Sequence, residues 1–156
     1  MPATGVRHVL MAAAALVLAF KLWLSVVFPF TGDEAYFTYW GAIPDYGFYD
    51  HPPMVGWLLY LLLKLSSAQW VLRLPATLLP FAIAAGIYFV LRRADEAKAG
   101  LAALAFLLLP ANVVNVFITT DTPLAVFSFA SVLCFWLGIT RRSPRSNSRD
   151  APRWPP

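Results

Sequence analysis

The sequence predicts an all-α polytopic membrane protein with about four transmembrane helices and juxtamembrane helices in the first outer loop. Three observations carry this prediction. Hydrophobic residues make up 60% of the 156-residue chain and charged residues 13%, against about 45–50% and about 25% in soluble domains. The mean hydropathy is +0.65. The apolar residues also fall into runs near the length that crosses a roughly 30 Å hydrocarbon core, about 20 residues of helix each. Spans of that length fill most of the chain and leave no room for a separate soluble domain. The net charge of +4 does not point to nucleic acid. The arginines gather at run ends and in the tail, as they do in the cytoplasmic loops of membrane proteins. The single cysteine, Cys134, lies in an apolar run. That excludes an internal disulfide and a cysteine-based metal site.

The first run covers about residues 9–30 and follows Arg7 and His8. A cleaved signal peptide would have a shorter apolar core and a small-residue cleavage site. This run is longer and ends Val26-Val27-Phe28-Pro29-Phe30, so it reads as an uncleaved helix. Lys21 lies in its outer half. Either it snorkels to the interface along its alkyl stem, or its ammonium faces an anionic ligand.

Residues 31–69 form the first outer loop. Within it, 54–65 is apolar but too short to cross, because at about 1.5 Å per residue it covers little more than half the core. Pro52 and Pro53 suit the start of a helix. A short helix lying at the surface is the expectation. The next span is about 70–91, closed by Arg92-Arg93, and a polar turn runs to Gly100. A span over 101–118 carries Pro110, Asn112 and Asn115 near its outer end. After Thr119-Thr120-Asp121-Thr122-Pro123, the last span covers about 124–140 and ends at Arg141-Arg142.

Charge sets the topology. If 54–65 does not cross, Arg7, Arg92-Arg93 and Arg141-Arg142 share the cytoplasmic side. Both termini are then inside, and the loop of 31–69 and Asp121 share the outer face. Arg73 lies near the outer end of the second span. Residues 141–156 are rich in Arg, Ser and Pro and are expected to be a disordered basic tail. The abrupt change of composition there suggests an interrupted reading frame, with a genuine cytoplasmic tail as the other reading.

The chemistry is concentrated in the outer loop. Asp33 and Glu34 precede a helical pattern that Thr31 or Asp33 can cap and whose dipole acids in the first turn offset, or a carboxylate there can take a proton from an attacking hydroxyl. Asp50-His51 follows within the same loop. Asp33, Asp50, His51 and Asp121 are a candidate set for a divalent metal ion, through oxygen and nitrogen ligands. A paired-carboxylate hydrolase is another use of the same acids. Pro52 and Pro53 fix the backbone beside His51 and so set its direction. Asp121 in TDTP can start a helix or serve the outer face. Tyr36, Tyr39, Trp40 and Tyr49 are an interface belt or a stacking surface for a sugar or polyprenyl chain.

The segments GDEAYFTYW (32–40), YGFYDHPPMVGWLL (46–59), RLP (73–75) and TTDTPLAVF (119–127) resemble the N-terminal part of bacterial GT-C membrane glycosyltransferases. The chain is similar in particular to the dolichyl-phosphate-mannose-protein mannosyltransferase-like group, which includes the lipid A aminoarabinose transferases. The resemblance covers about residues 9–140.

It implies a polyprenyl-phosphate-sugar donor and a lipid, glycan or protein acceptor at the outer face of the bacterial inner membrane. It implies catalytic roles for Asp33 and Glu34. Asp50, His51, Lys21 and Arg73 are candidates for the donor phosphate, and Asp121 matches the acid of the second outer loop. The short helix after Pro53 resembles the family's juxtamembrane helix. Pro44 departs from the pattern and should end the preceding loop helix early. Family members are far longer, so the chain reads as an N-terminal fragment. The alternatives are an inactive truncated membrane module and, less favoured, a small transporter subunit with outer-face carboxylates.

Overall fold

A computed structural model describes residues 3–142, and these residues are helical throughout their regular structure. The tail from residue 143 onward lies outside the described residues. The elements are α1 (Ala3–Val27), α2 (Gly32–Ala42), α3 (Met54–Leu63), α4 (Gln69–Leu72), α5 (Leu74–Leu91), α6 (Glu96–Leu107), α7 (Pro110–Val114) and α8 (Asp121–Arg142). Three stretches are long and apolar enough to cross a membrane: Thr4–Val27, Gln69–Leu91 and Asp121–Thr140. This is a multi-pass membrane protein.

α1 begins before the expected position and stops at Val27, because Pro29 cannot continue the helix. α4 and α5 form one continuous apolar stretch with a break at Arg73. Pro75 lies in the first turn of α5, where its missing N–H leaves no intrahelical bond unmade.

The expected single helix over 101–118 is divided. α6 starts at the N-cap Asp95, whose carboxylate accepts from the Lys98 amide at 3.0 Å, and it ends at Leu107. Pro110 then opens the one-turn α7, and residues 115–119 are non-helical. The physical reason is Pro110. It has no amide proton to give the Phe106 carbonyl, and its ring clashes with that carbonyl in a continuous helix. The Asn112 side-chain amide donates to Phe106 O instead, at 2.7 Å.

The divided segment still traverses the bundle beside α1. Gly100 lies against Val6, where a Cβ would come within 2.6 Å of Val6 Cγ1. Ala103 and Leu107 share a core cluster with Val17 and Ala84. Phe117 meets Phe28 edge to face, with ring centroids 5.4 Å apart. From Val6 to Phe28 is about 33 Å of helix, close to the thickness of a hydrocarbon core.

α5 runs opposite to α1. Its Thr77 bonds Ser25 at 3.0 Å near one end, and its Tyr88 lines a cavity with Leu10 and Arg7 near the other. α8 runs alongside α5. Pro123 and Leu124 face Pro52 and Val55, Phe129 lies over Gly86, and Trp136 meets Val90 and Leu91. The start of α1, the end of α5 and the end of α8 therefore share one end of the bundle, the end bearing Arg7, Arg92 and Arg93. The acidic loop and Asp121 share the other.

At the acidic end, α2 and α3 form a hairpin. Phe37, Trp40, Val55, Leu59, Leu72 and Ile118 make its core, so the hairpin packs on α4 and on the extended segment together. The crossing is close because Gly41 lies against Leu59, with 2.7 Å from a hypothetical Cβ to Leu59 Cβ. Pro44 follows directly after the end of α2. In the returning loop, Phe48 stacks flat on Trp40, with centroids 4.2 Å apart and planes at 3°.

Candidate active site

Thr31 starts α2 and fixes the direction of the acidic pair. Its hydroxyl accepts from the Glu34 amide at 3.3 Å, while Glu34 Oε2 accepts from the Thr31 amide at 3.1 Å. This reciprocal capping box satisfies two backbone donors at the helix start. It also turns the Glu34 side chain back under the helix. Asp33, one residue earlier, points about 100° away around the helix and is exposed.

Beneath α2, Glu34 meets Arg73, and both are completely buried. Arg73 Nε donates to Glu34 Oε1 at 2.7 Å and Nη2 donates to Oε2 at 2.6 Å, a bidentate pair. The other donors go to backbone carbonyls: Nη1 to Ser25 O at 3.2 Å and Phe28 O at 2.9 Å, and Nη2 to Pro29 O at 3.0 Å. A guanidinium has five N–H donors, and all of them are used here. The carbonyls belong to the last turn of α1 and the residues just after it, groups that a helix end leaves without intrahelical partners. The Gln69 side-chain amide also donates to Phe28 O. Arg73 thus caps α1 and anchors α2 in one contact, and Glu34 balances its charge. The Phe117 ring closes the site, with the guanidinium carbon 5.3 Å from its centroid.

The structure therefore separates two neighbouring acids. Glu34 is held by the clamp. Asp33 stands on the surface of the acidic end and pairs with no side chain among the described residues. Arg73 has no donor left for an incoming phosphate. Lys21, expected in the outer half of the first span either to snorkel or to face an anionic ligand, is also fully buried. Its ammonium donates to Asn112 O at 2.9 Å and to Asn115 O, the carbonyls around the end of α7.

Asp50 and His51 come together in the loop, with Nδ1 3.0 Å from Asp50 Oδ1 and side chains 41% and 37% exposed. Nδ1 lacks hydrogen-bond geometry toward that oxygen and has no other partner. The imidazole rests edge-on against Phe37, with centroids 5.9 Å apart at 77°. Phe37 lies one turn along α2 from Asp33, so the helix that presents Asp33 also seats His51. Asp121 opens α8 at the same end of the bundle, exposed, and lines a separate cavity with Asn112 and Asn115.

Among the described residues, no three His, Cys, Asp or Glu side chains come together as a metal site, Asp33, Asp50, His51 and Asp121 included. Sequence reasoning missed Ser25 and Thr77, which join α1 to α5, Gln69, which bonds the end of α1, and Phe117 and Ile118, which join the two acidic loops. The one available signal was chemical, since a hydroxyl or amide inside an apolar run must find a partner there.

The family model for dolichyl-phosphate-mannose-protein mannosyltransferase matches residues 50–146, more than half of the chain. The lipid A galacturonosyltransferase RgtD of Rhizobium johnstonii is 30% identical over 137 residues, an alignment covering 81% of this chain. The chain spans 28% of that relative's length. No solved structure matches the chain. The family match and the helical bundle with its acidic end lead to one conclusion: the chain belongs to the dolichyl-phosphate-mannose-protein mannosyltransferase family of membrane glycosyltransferases.

Proposed function

We propose that the protein carries the acidic outer-face loop of a glycosyltransferase that moves a sugar from a polyprenyl-phosphate donor to an acceptor. The membrane is the bacterial inner membrane, with both termini cytoplasmic and the acidic end outside. The observation that supports the reading best is the division of labour between Asp33 and Glu34. A general base must reach its substrate and keep a free lone pair. Asp33 meets both conditions, and Glu34, completely buried on Arg73, cannot reach a substrate.

In this reading Asp33 accepts the proton of the attacking acceptor hydroxyl. The oxygen then displaces the lipid phosphate from the sugar carbon, and negative charge grows on the leaving phosphate. His51, seated on Phe37 beside Asp50, is the group placed to stabilise that charge. Glu34 and Arg73 are positioning residues. The positive-inside bias supports the choice of face, because Arg7, Arg92 and Arg93 lie at the opposite end. The lipid A relative favours a lipid-borne acceptor.

The test is sugar transfer in proteoliposomes given mannosyl and galacturonosyl polyprenyl-phosphate donors. The wild-type protein is expected to transfer one of these sugars. Asp33→Asn is expected to lower kcat by about 10²–10⁴-fold with little change in KM. Transfer by Asp33→Asn at the wild-type rate contradicts the base assignment, and no transfer by the wild-type protein contradicts the activity.

A further inference from the structure

The break between α6 and α7 leaves non-helical backbone at membrane depth. Such backbone is tolerated where it is buried in protein or lines a cavity, and interrupted membrane helices commonly border a binding site. Both conditions hold here. Lys21 covers the buried side of α7 by donating to the Asn112 and Asn115 carbonyls around its end. On the other side lies a cavity of about 380 Å³ between α5, α7 and α8.

The polar lining of that cavity is Asn112, Asn115, Thr119, Asp121, Thr122 and Ser128, an unusual set within an apolar bundle. Asn115, Asp121 and Ser128 are exposed, so the cavity opens along α8. From Asp121 to Ser128 is about 10 Å of helix, which takes the opening from the acidic surface into the membrane. Ser128 is the telling residue: a hydroxyl between Phe127 and Phe129 in a membrane helix gains nothing from lipid. The opposite wall is apolar, from Leu79 and Ile83 of α5.

We infer that this cavity binds the hydroxyl-rich head group of a membrane-borne glycolipid. The lining offers carboxamides and hydroxyls, which both donate and accept, and one carboxylate, which accepts from paired hydroxyls. That matches a sugar ring. It does not match a phosphate, because no cation among the described residues lines the cavity: Lys21 is engaged on backbone carbonyls and Arg73 on Glu34 and α1. The apolar wall gives the ring's carbon face or the first part of a lipid chain a dry surface. The inference rests on the glycosyltransferase reading for its biological sense, but the binding itself stands apart from transfer.

The test is photolabelling in lipid nanodiscs with a diazirine-bearing alkyl glucoside. Labelling is expected on α7 and the first half of α8. It is expected to be competed by decyl maltoside and not by decyl phosphate. Competition by a polyprenyl-phosphate-linked glucose as well marks the donor as the source of the sugar, and its failure marks the acceptor. Ser128→Leu, which fills the opening with an apolar side chain, is expected to reduce labelling about tenfold, the cost of one lost polar contact. Phe135→Leu, further along α8, should leave labelling unchanged.

A second measurement does not depend on Ser128→Leu folding. In a Cys134→Ala background, decyl maltoside should slow maleimide labelling of Ser128→Cys. Competition by decyl phosphate equal to that by the maltoside, or no protection of Ser128→Cys, overturns the inference. Binding without any sugar transfer leaves this site standing and contradicts the proposed activity instead.

Discussion

Glu34 and Arg73 form an ion pair buried where water cannot reach either charge. Breaking such a pair by removing one partner leaves the other desolvated and uncompensated, at a cost of about 3–5 kcal/mol. Arg73→Met is expected to cost that much and to loosen the end of α1 as well, because the Ser25, Phe28 and Pro29 carbonyls lose their donors. Glu34→Gln keeps the shape and loses the charge, so it should fall in the same range or slightly below. The double variant should cost less than the sum of the two, since each single change already removes the shared contact. Thermal unfolding in a fixed detergent reads all three, and strict additivity would contradict the clamp. Thr31→Ala removes the capping box alone, at a cost of about 1 kcal/mol. At this scale the sequence was partly legible. The Asp33–Glu34 pair was visible as an acidic helix start. The partner of Glu34 was not, because 39 residues separate it from Arg73 and only tertiary packing brings them together.

At the scale of elements, apolar run length identified α1, the short α3 and the α4–α5 stretch, and Pro44 marked the end of α2. It misjudged 101–118. Hydropathy is continuous through Leu107-Leu108-Leu109 into Val113 and Val114, and hydropathy does not register the missing amide of Pro110. Asn112 and Asn115 were the warning, since two carboxamides in an apolar run need partners. Asn112 finds one across the break, donating to Phe106 O, and Asn115 finds one locally, its side-chain oxygen accepting from the Phe117 amide at 3.1 Å. The α2–α3 hairpin depends on glycine at its crossing. A methyl group at Gly41 would meet Leu59 Cβ at 2.7 Å and backbone atoms at 3.0 Å, which neither helix can yield without moving. Gly41→Ala is therefore expected to cost about 1–3 kcal/mol and to lower sugar transfer, since α2 carries Asp33. Gly86→Ala meets only the tip of the Phe129 ring, which can rotate away, so its effect on unfolding should be smaller. Equal losses for the two variants would show that the hairpin crossing is not specially tight.

At the scale of the whole molecule, charge placement carried more information than any single motif. Separating the arginine-bearing ends from the acidic loops led to one arrangement of crossings, and α1, α5, α6–α7 and α8 pack with Arg7, Arg92 and Arg93 at one end of the bundle and the acidic loop at the other. The sequence could not show that the two acidic loops are one packed unit. Phe117 against Arg73 and Ile118 in the hairpin core make the join, and both look like ordinary apolar residues in the chain. Cysteine labelling in intact cells tests the orientation. In a Cys134→Ala background, Tyr49→Cys should react with an impermeant maleimide from outside, and Lys98→Cys should react only after the membrane is opened. Labelling of Lys98→Cys from outside would contradict the placement.

In the proposed function the two adjacent acids have different work: Asp33 handles the proton and Glu34 holds the loop. Measuring sugar transfer and melting temperature together on Asp33→Asn and Glu34→Gln tests it most directly. The expected result is that Asp33→Asn loses transfer by at least about 10²-fold at an unchanged melting temperature, while Glu34→Gln melts well below the wild type. A stable Glu34→Gln that has lost transfer, beside an active Asp33→Asn, would contradict the account.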